Sequence, residues 1–232
     1  NNTNWSGESA FTVTGVNGWH RGGIVGKFGC YFVARFSRPF DRAMGWVDPS
    51  ERDRSKASGV ATRFAASLEA PVDVFIGTSF LSIEQAEENL RAEIGTRSFD
   101  EVRDAARDVW NRELSRIRIS GATDEQRTVF YTAFYRSLLF PRTWHEPDSA
   151  AVKWHYSPYD GQVHRGVLFA DHGLWDTYRT VYPFLTLLYP HQVGEILQGW
   201  VHAFQEGGWF PKWPAPGYRA GMVGTHTESV LA

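Results

Sequence analysis

The sequence predicts an α+β multidomain chain: part of an N-terminal antiparallel β-sandwich, then linking helices, then the beginning of a helical barrel or toroid. Three observations carry the prediction. Apolar residues alternate with period two through about residue 80, and the period changes to three and four at Ser82. In the second half, helical patterns are joined by long connectors rich in aromatic and charged residues, the kind of loop that carries a pocket.

Taking the elements in order, "KFGCYFVARF" places Phe28, Cys30, Phe32, Ala34 and Phe36 on one face of a strand, with Tyr31, Val33 and Arg35 on the other. "VATRFAAS" repeats the alternation with Val60, Thr62, Phe64 and Ala66, and "PVDVFIGTSF" sets Val72, Val74 and Ile76 against Asp73 and Phe75. Short strands separated by turns fit an antiparallel sandwich. Ser82 followed by Gln85 is a capping-box pattern that opens a helix. In the next helix Phe99, Val102, Ala106, Val109, Trp110 and Ile117 make an apolar stripe. Thr123 and Gln126 open a third helix, whose stripe is Val129, Phe130, Ala133, Phe134 and Leu138 and which Pro141 stops. A polar, aromatic stretch runs to about Gly173, and a helix from Leu174 is interrupted by Pro183. After Pro190, Val193, Ile196, Leu197, Trp200, Val201 and Phe204 share one helical face.

Composition narrows the partners. With 42% hydrophobic and 22% charged residues and a net charge of −2, the chain has no field to draw nucleic acid or an acidic membrane. Aromatic content is 15%, including 10 Trp, which serves either bulky core packing or stacking on sugars. Cys30 is the single cysteine, so no disulfide forms within the chain. Nothing at the N-terminus has the order of a signal peptide and no run reaches transmembrane length. The chain is expected to be a stretch of a longer protein, because it stops at "ESVLA", where a helix is only beginning.

Two segments carry candidate chemistry. In "ADHGLWDTYRTVYP", Asp171 is placed to cap a helix, and Trp175 and Arg179 share a face, with Asp176 three residues from Arg179. A Trp plate beside a carboxylate and a guanidinium grips a flat-faced polar ligand; the plain alternative is a first-turn Asp, an ion pair and a core Trp. In "EGGWFPKWPAPGYRAGMVG", prolines stiffen a loop whose Trp209, Trp213 and Tyr218 supply contact surface and whose Lys212 and Arg219 supply charge. Beyond it, His226 and Glu228 follow Thr225, which with Glu228 makes a further capping box. "WHEPD", with His145, Glu146 and Asp148, and His172 invite a metal reading, but no HExxH and no Cys cluster supports it over ordinary loop polarity.

With those residues set out, the chain resembles glycoside hydrolase family 92 from roughly Val72 to Ala232, through "VDVFIGTSFLSIEQAEENLRAEI", "TDEQRTVFYTAFYRSLLFPR", "LWDTYRTVYPFLTLLYP", "GGWFPKWP" and "MVGTHTESV". The resemblance implies a calcium-dependent exo-α-mannosidase that inverts the anomeric centre, with a β-sandwich joined by linking helices to an (α/α)6 toroid. On that layout residues 1–82 are the C-terminal part of the sandwich, 83–118 the linking helices and 119–232 the first part of the catalytic toroid. The resemblance places the family's calcium ligands and its paired water-activating aspartates beyond Ala232, which leaves only the acid side of an inverting pair here.

At the acid this chain departs from the family. Familiar members carry Glu four residues before the "MxG" segment, and here that position is Tyr218. A phenol with a pKa near 10 is a poor proton donor. A phosphate leaving group needs no proton, so a mannose-phosphate-mannose glycan becomes a substrate class, with Lys212 and Arg219 suited to its charge. An ordinary α-mannoside with Glu206 or Glu228 as acid is the other enzymatic reading; a non-catalytic mannose- or glycan-binding protein of the same fold is the alternative class, and an unrelated helical toroid enzyme a third. The substrate-contacting set is Trp175, Asp176, Arg179, Trp209, Lys212, Trp213, Arg219 and His226. The expected location is secreted, periplasmic or cell-surface.

Overall fold

A computed structural model describes residues 5–9, 12–19, 28–47, 58–65, 71–218 and 222–232. The chain is a mixed α and β protein with small antiparallel sheets. Strands β1 (Trp5–Ser9), β2 (Thr12–Trp19) and β3 (Phe28–Phe36) are followed by a pair formed by β4 (Arg42–Val47) and β5 (Ser58–Arg63) and by β6 (Val74–Ser79). The main sheet runs β1-β2-β3-β6, antiparallel throughout, with Val33 opposite Gly77.

The period-two alternation is real, and the side of β3 that packs against a helix is the odd one, although Ala34 on the even side is buried too. Val33 is buried against Ala86 and Leu90, with Tyr31 and Phe75 packed around them. Ala86 and Leu90 lie on α1 (Ile83–Glu93), which sits across β6 and β3. The helix comes so close that a Cβ at Gly77 would collide with the Ala86 carbonyl and the Leu90 side chain. Val74 and Ile76 are exposed. At the far end of β3 the other face is covered locally: Phe36, Phe40 and Phe64 meet with ring centroids 5.3 to 6.2 Å apart. Ala66 lies outside the described residues, and Val72 precedes β6.

The helix starts were legible. Ser82 accepts from the Gln85 amide at 3.1 Å, although Gln85 turns its own side chain to Asn89 and Pro147 instead of completing the box. Both halves of the box are present at Ser98 and Glu101, opening α2 (Phe99–Leu114), and at Thr123 and Gln126, opening α3 (Asp124–Ser137). The stripes fare differently: α2 buries none of its residues, leaving Phe99 and Val109 exposed, and α3 buries only Phe134.

The stretch read as a connector contains β7 (Arg142–Thr143), β8 (Glu146–Pro147), β9 (Lys153–Tyr156), β10 (Val163–Arg165) and β11 (Phe169–Ala170), in a β10-β9-β8 sheet and a β11-β7 pair. Helix α4 (Leu174–Thr177) ends before the expected break: the interruption falls at Tyr178–Thr180, and Pro183 sits in the first turn of α5 (Val181–Leu188). A proline there costs no helical hydrogen bond, since first-turn amides have no partner within the helix. Helix α6 (Pro190–Gly207) begins on its proline and buries Val193, Ile196 and Trp200, as its pattern predicts. Helix α7 (His226–Leu231) follows.

Contacts divide the chain into two compact units: residues up to Thr96 with Glu146–Arg165, and Arg97–His145 with Gly166–Ala232. Thus α1 belongs with the sheet and α2 with the later helices. The second unit is built on Val167, Phe169, Leu174, Tyr182, Ile196 and Trp200, against which Phe210, Val230 and Leu231 pack. No helix among the described residues is long and apolar enough to cross a membrane.

Candidate functional site

The site grows from the turn after β11. Asp171 takes a left-handed backbone (φ 64°), uncommon for a residue with a side chain. Its amide donates to the Pro214 carbonyl at 2.5 Å, and its carboxylate accepts from Arg142 Nε at 2.7 Å and from Arg142 Nη2. Asp171 therefore does not cap the helix as expected; Gly173 occupies the cap position with no side-chain bond. What Asp171 does is tie the turn to Arg142 on β7 and to the loop after α6.

That loop is no plain connector. It leaves α6 at Gly208, and Pro211 and Pro214 are among the most buried residues in the molecule. The Pro211 carbonyl accepts from the buried Thr227 hydroxyl at 2.8 Å, and the Tyr218 hydroxyl accepts from the Trp209 amide at 3.1 Å while donating to the Trp209 carbonyl at 2.8 Å. Prolines already restrict the unfolded loop, so these few ties suffice to fix it.

Turn and loop enclose an open cleft of about 560 Å³, lined among others by Arg136, Arg142, Asp171, His172, Asp176, Trp213 and Met222. Two guanidiniums, two carboxylates, a histidine and an indole thus face one space large enough for a sugar ring. His172 is buried in its wall, with Nδ1 at 2.6 Å from the Tyr182 hydroxyl. Burial lowers the His172 pKa to about 4, so the ring is neutral at neutral pH, and burial raises that of Tyr182. Tyr182 in turn stands edge-on to Trp200, with centroids 5.3 Å apart.

Of the substrate-contacting set expected from the sequence, Asp176 and Trp213 line this cleft. Trp175 and Arg179 do share a face, with the guanidinium 5.3 Å from the indole, but no ion pair joins Arg179 to Asp176 among the described residues. Arg179 also lies over Tyr178, which stacks on His226 at 4.3 Å and 8°. Gly224 backs that stack, since a Cβ there would run into the His226 ring. Trp209 and Lys212 are exposed on the loop, and Arg219 lies outside the described residues. Glu228 is exposed on α7, and the capping box expected with Thr225 is absent: Thr225 makes no side-chain cap bond.

Tyr218 holds the acid position of the family pattern, yet its one proton points at the Trp209 carbonyl. Burial, with nearby Glu206, pushes its pKa up, away from the range of a useful acid. The residues the sequence reading undervalued are Arg142 and His172; an Arg beside a helix-stopping proline and a His within a helix-start turn gave no periodic signal. "WHEPD" resolves into structure: the Glu146 carboxylate accepts from the Phe80 amide at 2.7 Å and from Asn89 at 2.8 Å, and Asp148 closes its own turn. No cluster of three or more His, Cys, Asp or Glu side chains placed to hold a metal ion exists among the described residues.

A cleft lined by carboxylates, guanidiniums and an indole suits a polar ligand with a flat face. Residues 85–232 match the glycosyl hydrolase family 92 catalytic domain, and the chain belongs to that family. An inverting mannosidase of family 92 from Bacteroides thetaiotaomicron VPI-5482 superposes with a TM-score of 0.88 at 34% identity, over 96% of this chain and 31% of its own. A second family 92 α-mannosidase of Bacteroides thetaiotaomicron, solved in complex with mannoimidazole, gives 0.82 at 22% identity, over 98% of this chain and 31% of its own. An uncharacterised secreted glycosidase of Arthroderma benhamiae is 32% identical over 91 residues, 37% of this chain and 12% of that protein. The chain thus spans about a third of the length of the solved relatives.

Proposed function

We propose that this chain supplies the substrate-binding wall of an exo-acting α-mannosidase that works with inversion, on the sandwich and (α/α)6 layout of its family. The observation that carries the reading is the cleft that brings Asp176, from "LWDTYR", together with Trp213, from "GGWFPKW". A carboxylate accepts from paired sugar hydroxyls and an indole packs on the C–H face. Calcium and the water-activating base belong to the proposal through the family, with no ligand set assigned to residues of this chain. So does a secreted, periplasmic or cell-surface location.

The engaged hydroxyl of Tyr218 favours a leaving group that needs no proton. We therefore extend the proposal to mannose-phosphate-mannose linkages, with Arg136, Arg142 and Lys212 as the cations near the cleft and loop. The same observation supports a second reading, a mannose-binding protein without catalysis. The test uses the full-length protein on an aryl α-mannoside and on a mannose-phosphate-mannose glycan, each with and without chelator, with NMR of the released anomer. Turnover of either to the inverted sugar, abolished by chelator, supports the enzyme. Binding without turnover of either leaves the second reading.

A further inference from the structure

We propose that His172 is a sugar-binding residue of the cleft, donating from Nε2–H to a substrate oxygen, and that Tyr182 is the positioning residue that fixes this tautomer. The inference rests on the mannoside reading of the same cleft and adds a residue and a direction of donation to it.

Tyr182 is 2% exposed, so its hydroxyl is not free to turn to bulk water, and His172, 5% exposed, meets the open space only where it lines the cleft. Among the described residues the Tyr182 hydroxyl has one hydrogen-bond partner, His172 Nδ1 at 2.6 Å. A buried hydroxyl proton with no acceptor costs free energy, and the Nδ1 lone pair is the acceptor at hand. If Nδ1 carried the proton instead, the Tyr182 proton would have nowhere to go. The hydroxyl therefore donates to Nδ1, and the imidazole, neutral in this setting, carries its proton on Nε2. Nε2 has no protein partner among the described residues, and the residue lines the cleft beside Asp171 and Asp176. Those two carboxylates accept only, and Arg136 and Arg142 on the same wall are charged. His172 thus offers the cleft an uncharged donor, suited to a hydroxyl or ring oxygen rather than to an anion.

The test measures binding of methyl α-mannoside by calorimetry to the full-length protein, its Tyr182→Phe, His172→Asn and His172→Gln variants, with melting temperature as a control for folding. A Gln amide nitrogen reaches the place of Nε2, and an Asn amide nitrogen that of Nδ1. The expected result is affinity about tenfold lower for His172→Asn and for Tyr182→Phe, the loss of one neutral hydrogen bond, and within about threefold of wild type for His172→Gln. Equal affinity in all three variants and wild type overturns the proposal, as does equal loss in Asn and Gln. If the wild-type protein fails to bind the mannoside, the mannoside reading of the cleft falls. Imidazole ¹⁵N spectra then decide the tautomer on their own: protonation at Nε2 supports the assignment and protonation at Nδ1 overturns it.

Discussion

Two turns of this molecule, "WHEPD" and "ADHGLWD", have nearly the same composition and opposite fates. In the first, every carboxylate is consumed by the fold. Glu146 takes the Phe80 amide and the Asn89 side chain, and Asp148 accepts from the Ala150 and Val152 amides and the Trp154 indole. In the second, Asp171 is shared with Arg142 but still reaches the cleft, and Asp176 lines it. The difference teaches that a His and acid cluster becomes a site only where backbone donors leave its oxygens unspent. Substitutions of Glu146 and Asp148 in the first turn should therefore cost stability and spare sugar binding, and those of Asp176 in the second should do the reverse.

The largest effect on stability is expected from Glu146→Ala. It strips a backbone amide and an Asn side chain of their acceptor, a loss of about 2 kcal/mol, while mannoside affinity per folded molecule stays within about twofold. Calorimetric melting together with a sugar titration checks both halves, and a drop in affinity with unchanged melting would break the contrast. Next comes Trp213→Ala, expected to weaken methyl α-mannoside binding about tenfold with little change in melting, since the indole is partly exposed. Tyr218→Phe removes the clasp on Trp209 and should lower stability by about 1 kcal/mol, leaving mannoside turnover within about threefold. A hundredfold fall in turnover would instead make the phenol the acid.

The smallest effect sharpens the first turn. Hydrogen bonds from the Trp154 indole, then from the Val152 and Ala150 amides, hold the Asp148 carboxyl below its usual range. A carboxyl whose pKa is lowered by folding stabilises above its unfolded pKa, near 4, and that contribution fades as pH falls through the folded value. The gap in melting temperature between wild type and Asp148→Asn should accordingly be widest at neutral pH and close as pH drops below about 4. A gap that widens in acid would contradict the role.

What was legible in the sequence was local. The boxes at Ser98 and Glu101 and at Thr123 and Gln126, and the buried stripe of α6, depend on residues within one or two turns of each other. The stripe of α2 was equally clear, yet periodicity names a face without saying what covers it, and Phe99 and Val109 are exposed here. The strands between Arg142 and Ala170 escaped notice because each spans two to four residues, too short for alternation to register. Their positions are set by turns such as the one Asp148 closes. Of the site, Asp176 and Trp213 were readable from their motifs, whereas the pairing of Asp171 with Arg142 and of His172 with Tyr182 joins residues 29 and 10 positions apart, beyond the reach of any local pattern.

The account stands most directly on Asp176 as the carboxylate that receives the sugar. Titrating methyl α-mannoside into the full-length protein and its Asp176→Asn variant, with melting curves alongside, tests it. The account predicts a loss of at least about thirtyfold in affinity at unchanged melting temperature, as for a hydrogen bond to a charged group. Equal affinity in the two proteins would contradict it and move the sugar out of this cleft.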